Sequence, residues 1–574
     1  MRAKPAPILE RLIGLETEYA TLLQLPPDQQ VPPSRQAVYA AVCEQIAARI
    51  PIARGRYDSD TIFLANGGAF SIESSPNRLD RPGGLIEGAT AESCSPARVV
   101  EAQRAQDRMI AEAAAASAIP GELRIVKNSC DAYGHIYGCQ ENYAAPVATG
   151  LRLALYWMLL VMMMPAAVLY WFACIMILGS ELAVLFAIRS LGRLLGFAAT
   201  NQGSAGDSVA GDAADANQLP LSLLRVTAVI LRVISLPAAG MLYLIARFVA
   251  FREQRKFLTA FLVSRVVLTG AGHVDRRNRF RLSSKALAID TVTGFGGYLG
   301  ERPIYVFHHW LQQLCGRSLL SIRSLGEMFR QRQRLQIGLS DSNISDTAEY
   351  LKVGATALVL DLIEAGGGRD LPRLQRPIQA LHRITCDWNL VSRVLTNRGE
   401  LSALDIQRAY LQACMRFVEA AGDAAPREAH RILERWEATL AALAAFRSSE
   451  IDPLPALGHV DWLTKKWMLD RLDCEGVEQA AAAERWMARK KIDIRYHELS
   501  DDSYFARLRA VAPQLSSVDP AGIDLALRMP PLNSPALRRG QLIREFSGGT
   551  EPVAVDWSHL VIGSGRTRRI VAFD

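Results

Sequence analysis

From Leu153 to Ser180 the chain runs for 28 residues without a charged side chain, against the ~20 that a helix needs to cross the hydrocarbon of a bilayer. A soluble helix of that length would carry a polar stripe. The run therefore reads as a membrane span over about 153–178. A second apolar stretch, Val226–Ala246, contains Arg232, Pro237 and Gly240, so it reads as a second crossing or as a helix lying in the interface. Arg152 precedes the first run, and Arg247, Arg252, Arg255 and Lys256 follow the second. Between Arg193 and Arg225 there is no Lys or Arg, only a polar stretch with Asp207, Asp212 and Asp215. The positive-inside bias puts both flanks in the cytoplasm and the acidic linker outside. This makes the chain a multi-pass protein of the inner (cytoplasmic) membrane, with its polar body facing the cytoplasm. Residues 181–197, with Arg189 and Arg193, read as an amphipathic extension whose placement the pattern leaves open.

The rest of the 574 residues is globular in composition, with 50% apolar and 21% charged residues over the whole chain. The net charge of +7 comes from 65 basic against 58 acidic residues, and no dense basic block lies outside the flanks of the apolar runs. Nucleic acid is not an expected partner. Nine cysteines lie scattered without a CxxC pair, which suits a reduced compartment and no zinc site. Met1–Leu15 has no apolar core of a secretory signal.

Ile13-Gly14-Leu15-Glu16-Thr17-Glu18-Tyr19 alternates apolar and polar residues, so as a strand it carries Glu16 and Glu18 on one face. Two carboxylates there suit Mg²⁺, a hard cation that takes oxygen ligands and bridges nucleotide phosphates. A solvated sheet face has the same pattern. Thr61–Leu64, the turn signal Asn66-Gly67-Gly68 and Ala69–Glu73 read as a hairpin in which Ser71 and Glu73 share a face. Ile86-Glu87-Gly88-Ala89-Thr90-Ala91-Glu92 and Tyr137-Gly138-Cys139-Gln140-Glu141-Asn142-Tyr143 follow, and then the apolar runs. Beyond them come Phe257–Arg265, Ser340–Ser345 leading into Leu351–Leu360, Ala403–Arg408, Val460-Asp461-Trp462, Met529-Pro530-Pro531 and Val555-Asp556-Trp557-Ser558-His559-Leu560.

In this order the segments resemble the Pup ligase and depupylase family of carboxylate-amine ligases. The resemblance implies an α+β fold: a glutamine-synthetase-like antiparallel sheet cradle with helices, interrupted by a transmembrane helical hairpin and followed by a small C-terminal domain. The implied layout is residues 1–147 and 253–495 for the catalytic body, 148–252 for the membrane insert and 496–574 for the C-terminal domain. Because the motifs lie on both sides of the insert and must share one compartment, the number of crossings is even. The implied cofactors are ATP and Mg²⁺. Carried over residue by residue, Glu16, Glu18, Glu87 and Glu141 would be metal ligands, Thr90, Trp557 and Arg334 would contact the nucleotide, and Glu73 would stand at the position of the catalytic aspartate. The implied reaction is ATP-dependent ligation of the C-terminal glutamate of a Pup-like protein modifier to a lysine of a target protein, through an acyl phosphate. A depupylase- or deamidase-like isopeptidase and a catalytically degenerate modifier-binding protein at the membrane are the alternatives. A proteasome-like protease is an open further partner.

The chain also departs from the family pattern. Glu73 replaces a shorter aspartate, Gln140 and Gln336 stand where H-E-N-Y and R-L-H have histidine, and Ala69 and Ser71 replace an arginine and a tyrosine. The arginine that follows the family's paired prolines aligns with Pro535, and about nine extra residues lie between Glu73 and Glu87.

Overall fold

A computed structural model describes residues 7–29, 31–73, 85–194, 221–297, 300–318, 322–447, 454–474 and 481–573. The insertion before Glu87 and the acidic linker fall outside these residues. The described chain forms two compact units: residues 1–145, 253–306 and 334–574 make the first, and residues 146–252 and 307–333 the second.

The first unit is organised by one 13-stranded sheet. Its strands are β1 (Ile13–Gln24), β2 (Ile52–Gly55), β3 (Ile62–Leu64), β4 (Ala69–Ile72), β5 (Leu85–Ala89), β6 (Glu122–Val126), β7 (Cys139–Pro146), β8 (Thr291–Gly294), β9 (Pro303–Val306), β10 (Arg332–Ile337), β11 (Val553–Val555), β12 (His559–Ile562) and β13 (Arg569–Ala572). Their order is β8-β9-β10-β7-β1-β5-β4-β3-β2-β11-β12-β13, with β6 pairing the far end of β1. The expected antiparallel pattern holds at most of the recorded pairings, but β8–β9 and β2–β11 are parallel. The β2–β11 pairing carries the C-terminal residues into the main sheet. Residues 496–574, expected as a small separate domain, belong to the same compact unit.

One face of the sheet is closed by α1 (Arg35–Ala47) and α2 (Pro96–Ala115). Ser95 caps α2 by accepting the Arg98 N–H, and Pro96 sits in its first turn, where the missing N–H costs nothing. The helix lies so close to β5 that a Cβ on Gly88 would come within 1.9 Å of Gln106 Nε2. Glycine is needed there for close approach, not for backbone freedom. Apolar side chains of β1 to β5, among them Tyr19, Ile62, Phe70 and Ile86, form the core on this side with Met109 and Ile110.

Below that core lies a network of buried charges. Arg104 pairs with Asp107 at 3.0 Å and Asp346 at 2.8 Å, and Lys127 with Asp107 at 3.0 Å and Glu349 at 3.2 Å. Lys352 pairs with Glu349 at 2.5 Å. Asp346 and Glu349 open the helix α3 (Asp346–Glu364), where acidic residues also complement the positive helix end.

The second unit holds the two apolar runs as helices: α4 (Leu151–Leu194), with Pro165 inside it, and α5 (Leu221–Phe248), with Pro237 inside it. Residues 181–194, whose placement the sequence left open, continue α4 without a break. The unit also contains Phe307–Gln333, which the sequence reading assigned to the catalytic body. The reason is visible in the hydrogen bonds: Tyr156, Trp157 and Trp171 each carry a donor on an otherwise apolar helix. They give it to the carbonyls of Met328 (2.8 Å), Phe329 (3.0 Å) and Leu314 (2.8 Å). Tyr156, Phe251, Phe307 and Trp310 pack ring against ring beside these bonds. Long stretches of both helices leave large apolar side chains exposed, among them Val161, Leu169, Phe172, Val229 and Val233.

Candidate functional site

The site lies on the sheet face opposite α2. Parity along β1 decides which side chains reach it: Leu15, Thr17 and Tyr19 point to the core, with Tyr19 donating to Asp107 at 2.7 Å, so Glu16 and Glu18 take the other face. Register then sets their neighbours. Glu18 stands opposite Glu87, Glu87 opposite Ser71, and Glu16 between Ala89 and Gln140. Glu73 follows Ser71 by two residues, so it continues the same face and is exposed. Arg334 and Gln336 of β10 reach Glu16 from the other side.

The four carboxylates are treated unequally. Both oxygens of Glu16 accept from Arg334 Nη2 (2.8 and 2.9 Å), and Gln336 adds a bond at 3.2 Å. Asn142 accepts from Arg334 Nε at 2.6 Å, fixing the guanidinium, and Gln336 is hydrogen-bonded to Gln140. Among the described residues Glu18 receives only the Gly138 N–H at 2.9 Å, and Glu87 only the Ser71 hydroxyl at 3.4 Å. Burial, then repulsion from Glu73, push Glu18 up to about 7 against the opposing pull of Lys285, the Gly138 N–H and Arg302. Burial and repulsion from Glu16, Glu18 and Glu73 push Glu87 up to about 8, with Arg334 opposing. Like charges directly opposite on adjacent strands destabilise a sheet. The cluster holds that repulsion within its own strands.

Several strands away on the same face, Phe63 meets Trp557 edge to face, with ring centroids 5.1 Å apart. Trp557 is backed by Arg539, whose guanidinium lies 4.6 Å from the ring centre. Arg539 is fully buried and donates to Glu92 (3.1 and 2.5 Å) and to the carbonyls of Gly67 (2.6 Å) and Trp557 (3.3 Å). It sits on α6 (Pro535–Phe546), one turn after Pro535, the position where the family pattern has its arginine.

Two expected site residues lie elsewhere. Glu141 has odd parity relative to Gln140 and Asn142 and is fully buried on the opposite face. Both its oxygens are taken by Arg265 at 2.9 and 2.6 Å, and Tyr143 donates to it at 2.6 Å. It balances a buried arginine and is not gathered with Glu16, Glu18 and Glu87. Thr90 is also buried: its hydroxyl accepts the Leu15 N–H at 3.0 Å, and it lines a largely apolar cavity of about 320 Å³ against α2 with Phe70, Met109 and Leu525. Sequence reasoning missed Arg539, Phe63, Lys285 and Arg302. None belongs to a local motif, and only the fold brings them to the site.

The donor set is compatible with Mg²⁺ carried by a nucleotide. Among the described residues no three His, Cys, Asp or Glu side chains are gathered tightly enough to hold an ion alone. Mg²⁺ is usually held by one or two carboxylates, with phosphates and waters filling the octahedron. Glu18 and Glu87 supply such a pair, while Glu16 is already neutralised by Arg334.

The Pup-ligase protein family matches residues 11–561. The chain belongs to that family. Similar proteins include the Pup--protein ligase of Acidimicrobium ferrooxidans, 31% identical over 322 residues that cover 55% of this chain and 65% of that protein. The Pup deamidase/depupylase of Mycolicibacterium smegmatis is 30% identical over 333 residues, 56% of this chain and 60% of that protein. The chain thus spans a little under two thirds of the length of these curated relatives. The crystal structure of the complex between the prokaryotic ubiquitin-like protein Pup and its ligase PafA shares the fold, with a TM-score of 0.62 at 19% identity over 98% of this chain and 89% of that one. The structure of PafA in complex with ADP gives a TM-score of 0.56 at 18% identity, over 96% and 93% of the two chains.

Proposed function

We propose that this chain is a membrane-anchored, ATP-dependent ligase that joins the C-terminal glutamate of a Pup-like modifier to a lysine of a target protein. The observation that carries the reading is the under-compensated carboxylate group Glu18, Glu87 and Glu73, on the same sheet face as the Phe63–Trp557 aromatic pair. The aromatic pair offers a surface for a base, and Glu18 and Glu87 would hold Mg²⁺. When bound, that ion would neutralise the charge of the transferred phosphates. A carboxylate oxygen of the modifier accepts the γ-phosphoryl group as ADP leaves; the lysine nitrogen then attacks the carbonyl, phosphate leaves, and Glu73 takes the ammonium proton. Glu73 is one methylene longer than the family's aspartate and lies at the exposed end of β4, where it has room to reach an incoming amine.

Membrane anchoring is supported by α4 and α5, which contain apolar stretches of 31 and 20 residues (Leu151–Glu181 and Val229–Phe248), with only 22% and 33% of an 18-residue apolar window in each buried. The basic flanks of the apolar runs support a catalytic unit on the cytoplasmic side.

A second reading has its own support. Relatives named as ligases and as depupylases match at nearly equal identity, 31% and 30%, so an isopeptidase of the same site stands beside the ligase. The Glu16–Arg334 pair would also suit a form that binds modifier and nucleotide without turnover. The discriminating experiment incubates detergent-purified protein with ATP, Mg²⁺ and small proteins ending in glutamate from its own cell, and follows both conjugates and ADP. The ligase makes one ADP per conjugate. Cleavage of a preformed conjugate without stoichiometric ATP use identifies the isopeptidase, and nucleotide binding without either product identifies the degenerate form.

A further inference from the structure

A glutamate at a chain terminus has two carboxylates, of which the reaction activates one. The other enters a face that already holds Glu16, Glu18, Glu73 and Glu87, with Arg334 committed to Glu16. An additional anion there needs cations with spare donors. Among the described residues the Ile136–Cys139 segment gathers two. Lys285 Nζ donates to the Cys139 carbonyl at 3.0 Å, and Arg302 Nη1 to the Ile136 carbonyl at 3.5 Å. Gly138, between these two carbonyls, donates its N–H to Glu18.

Both cations are held in place by their own backbones. Ser283 caps the short helix Ser284–Ala288 by accepting the Ala286 N–H at 2.9 Å, and the Ser284 hydroxyl fastens that helix to the Ser129 carbonyl at 3.1 Å. The Arg302 N–H donates to the Asp290 side chain at 2.9 Å, and the Asp290 N–H returns a bond to the Arg302 carbonyl at 3.1 Å. Among the described residues the side chains of Lys285 and Arg302 each donate to one backbone carbonyl. Neither forms an ion pair among the described residues. Lys285 is half-buried and Arg302 exposed, so their remaining N–H donors are open to a ligand.

We infer that Lys285 and Arg302 form the clamp for the spectator carboxylate of the terminal glutamate, selecting a dicarboxylate chain end and turning its second carboxyl toward the reacting groups. This rests on the ligase-type reading of the site, and it adds a specificity element that no sequence motif marks. A carboxylate that accepts an N–H from an ammonium or a guanidinium gains a charge-assisted bond, the strongest kind available to a chain terminus.

The test is equilibrium binding by full-length protein in detergent, at saturating non-hydrolysable ATP analogue. A fluorescein-labelled peptide ending in glutamate is compared with the same peptide ending in glutamate amide, which lacks only the spectator charge. Wild type is expected to bind the acid about 10- to 100-fold more tightly, the range of a charged hydrogen bond. Lys285→Met with Arg302→Met brings acid and amide within about twofold, while Lys285→Arg keeps the preference. Equal binding of acid and amide by wild type overturns the inference, as does a double variant that weakens both equally. ATP turnover in the same samples judges the ligase reading separately, because the clamp is read from binding alone.

Discussion

Two groups of charged side chains lie on opposite faces of the same sheet, and they are built in opposite ways. Behind the sheet, Arg104, Lys127 and Lys352 meet Asp107, Asp346 and Glu349, so each buried charge has a partner. Burial alone would raise the Glu349 carboxyl, but Lys127, Lys352 and Arg104 outweigh it and hold the group at about 2. In front, burial acts in the same direction on Glu18 and Glu87, but their neighbours are carboxylates, and they rise to about 7 and 8. One residue type thus spans several pKa units across one sheet. Compensation marks the region that holds the fold, and its lack marks the face on which the proposed function rests.

The comparison breaks most visibly on removal of one charge from each side. Glu349→Ala leaves Lys352 buried without its carboxylate and Lys127 with Asp107 alone, and the expected loss is about 3–5 kcal/mol of unfolding free energy, or failure to accumulate as folded protein. Glu73→Gln takes away the proton acceptor: the rate of conjugate formation should fall about 10²- to 10⁴-fold while the melting temperature stays within error. Glu87→Gln should raise stability by about 1–2 kcal/mol at pH 8, after allowing for solvent screening, and abolish Mg²⁺-dependent nucleotide binding. A destabilised Glu87→Gln would show that the front carboxylates are structural after all.

The pH dependence separates the two regions by sign. Glu18 and Glu87 bind protons more tightly folded than unfolded. Their contribution to stability is complete below the ordinary glutamate range and is lost as pH rises through about 7 to 8. Glu349 does the reverse: its contribution is present above the ordinary value and is lost as pH falls toward about 2. Thermal melts from pH 5 to 9 in detergent should show wild type losing stability relative to Glu87→Gln as pH rises. The smallest effect is expected at the aromatic pair, where Trp557→Ala should weaken nucleotide binding about tenfold, in line with the ~0.5–1.5 kcal/mol of an aromatic contact.

How much of this the sequence revealed depended on parity and distance along the chain. Glu16 and Glu18 share a strand, so their common face followed from the period of two, and Ser71 with Glu73 likewise. Thr90 lies three residues from Glu87, an odd separation that already set the two on opposite faces. Glu141 differs: its parity means nothing until the β1–β7 register is known, and that register places Gln140, not Glu141, beside Glu16. The apolar runs were legible as helices because they are long. Phe307–Gln333 was not legible as their companion, since its link to them is three side-chain donors meeting backbone carbonyls. Lys285, Arg302 and Arg539 were three basic residues among 65 until the fold brought them to the site.

The front carboxylates are tested most directly by isothermal titration of detergent-purified protein with a non-hydrolysable ATP analogue, with and without Mg²⁺, for wild type, Glu87→Gln and Glu349→Gln. Wild type should show Mg²⁺-dependent binding that strengthens from pH 6 to 8 as Glu18 and Glu87 lose their protons, is absent in Glu87→Gln, and persists in whatever folded Glu349→Gln is recovered. Binding that ignores Mg²⁺, or that survives Glu87→Gln unchanged, would contradict a metal-binding role for these carboxylates.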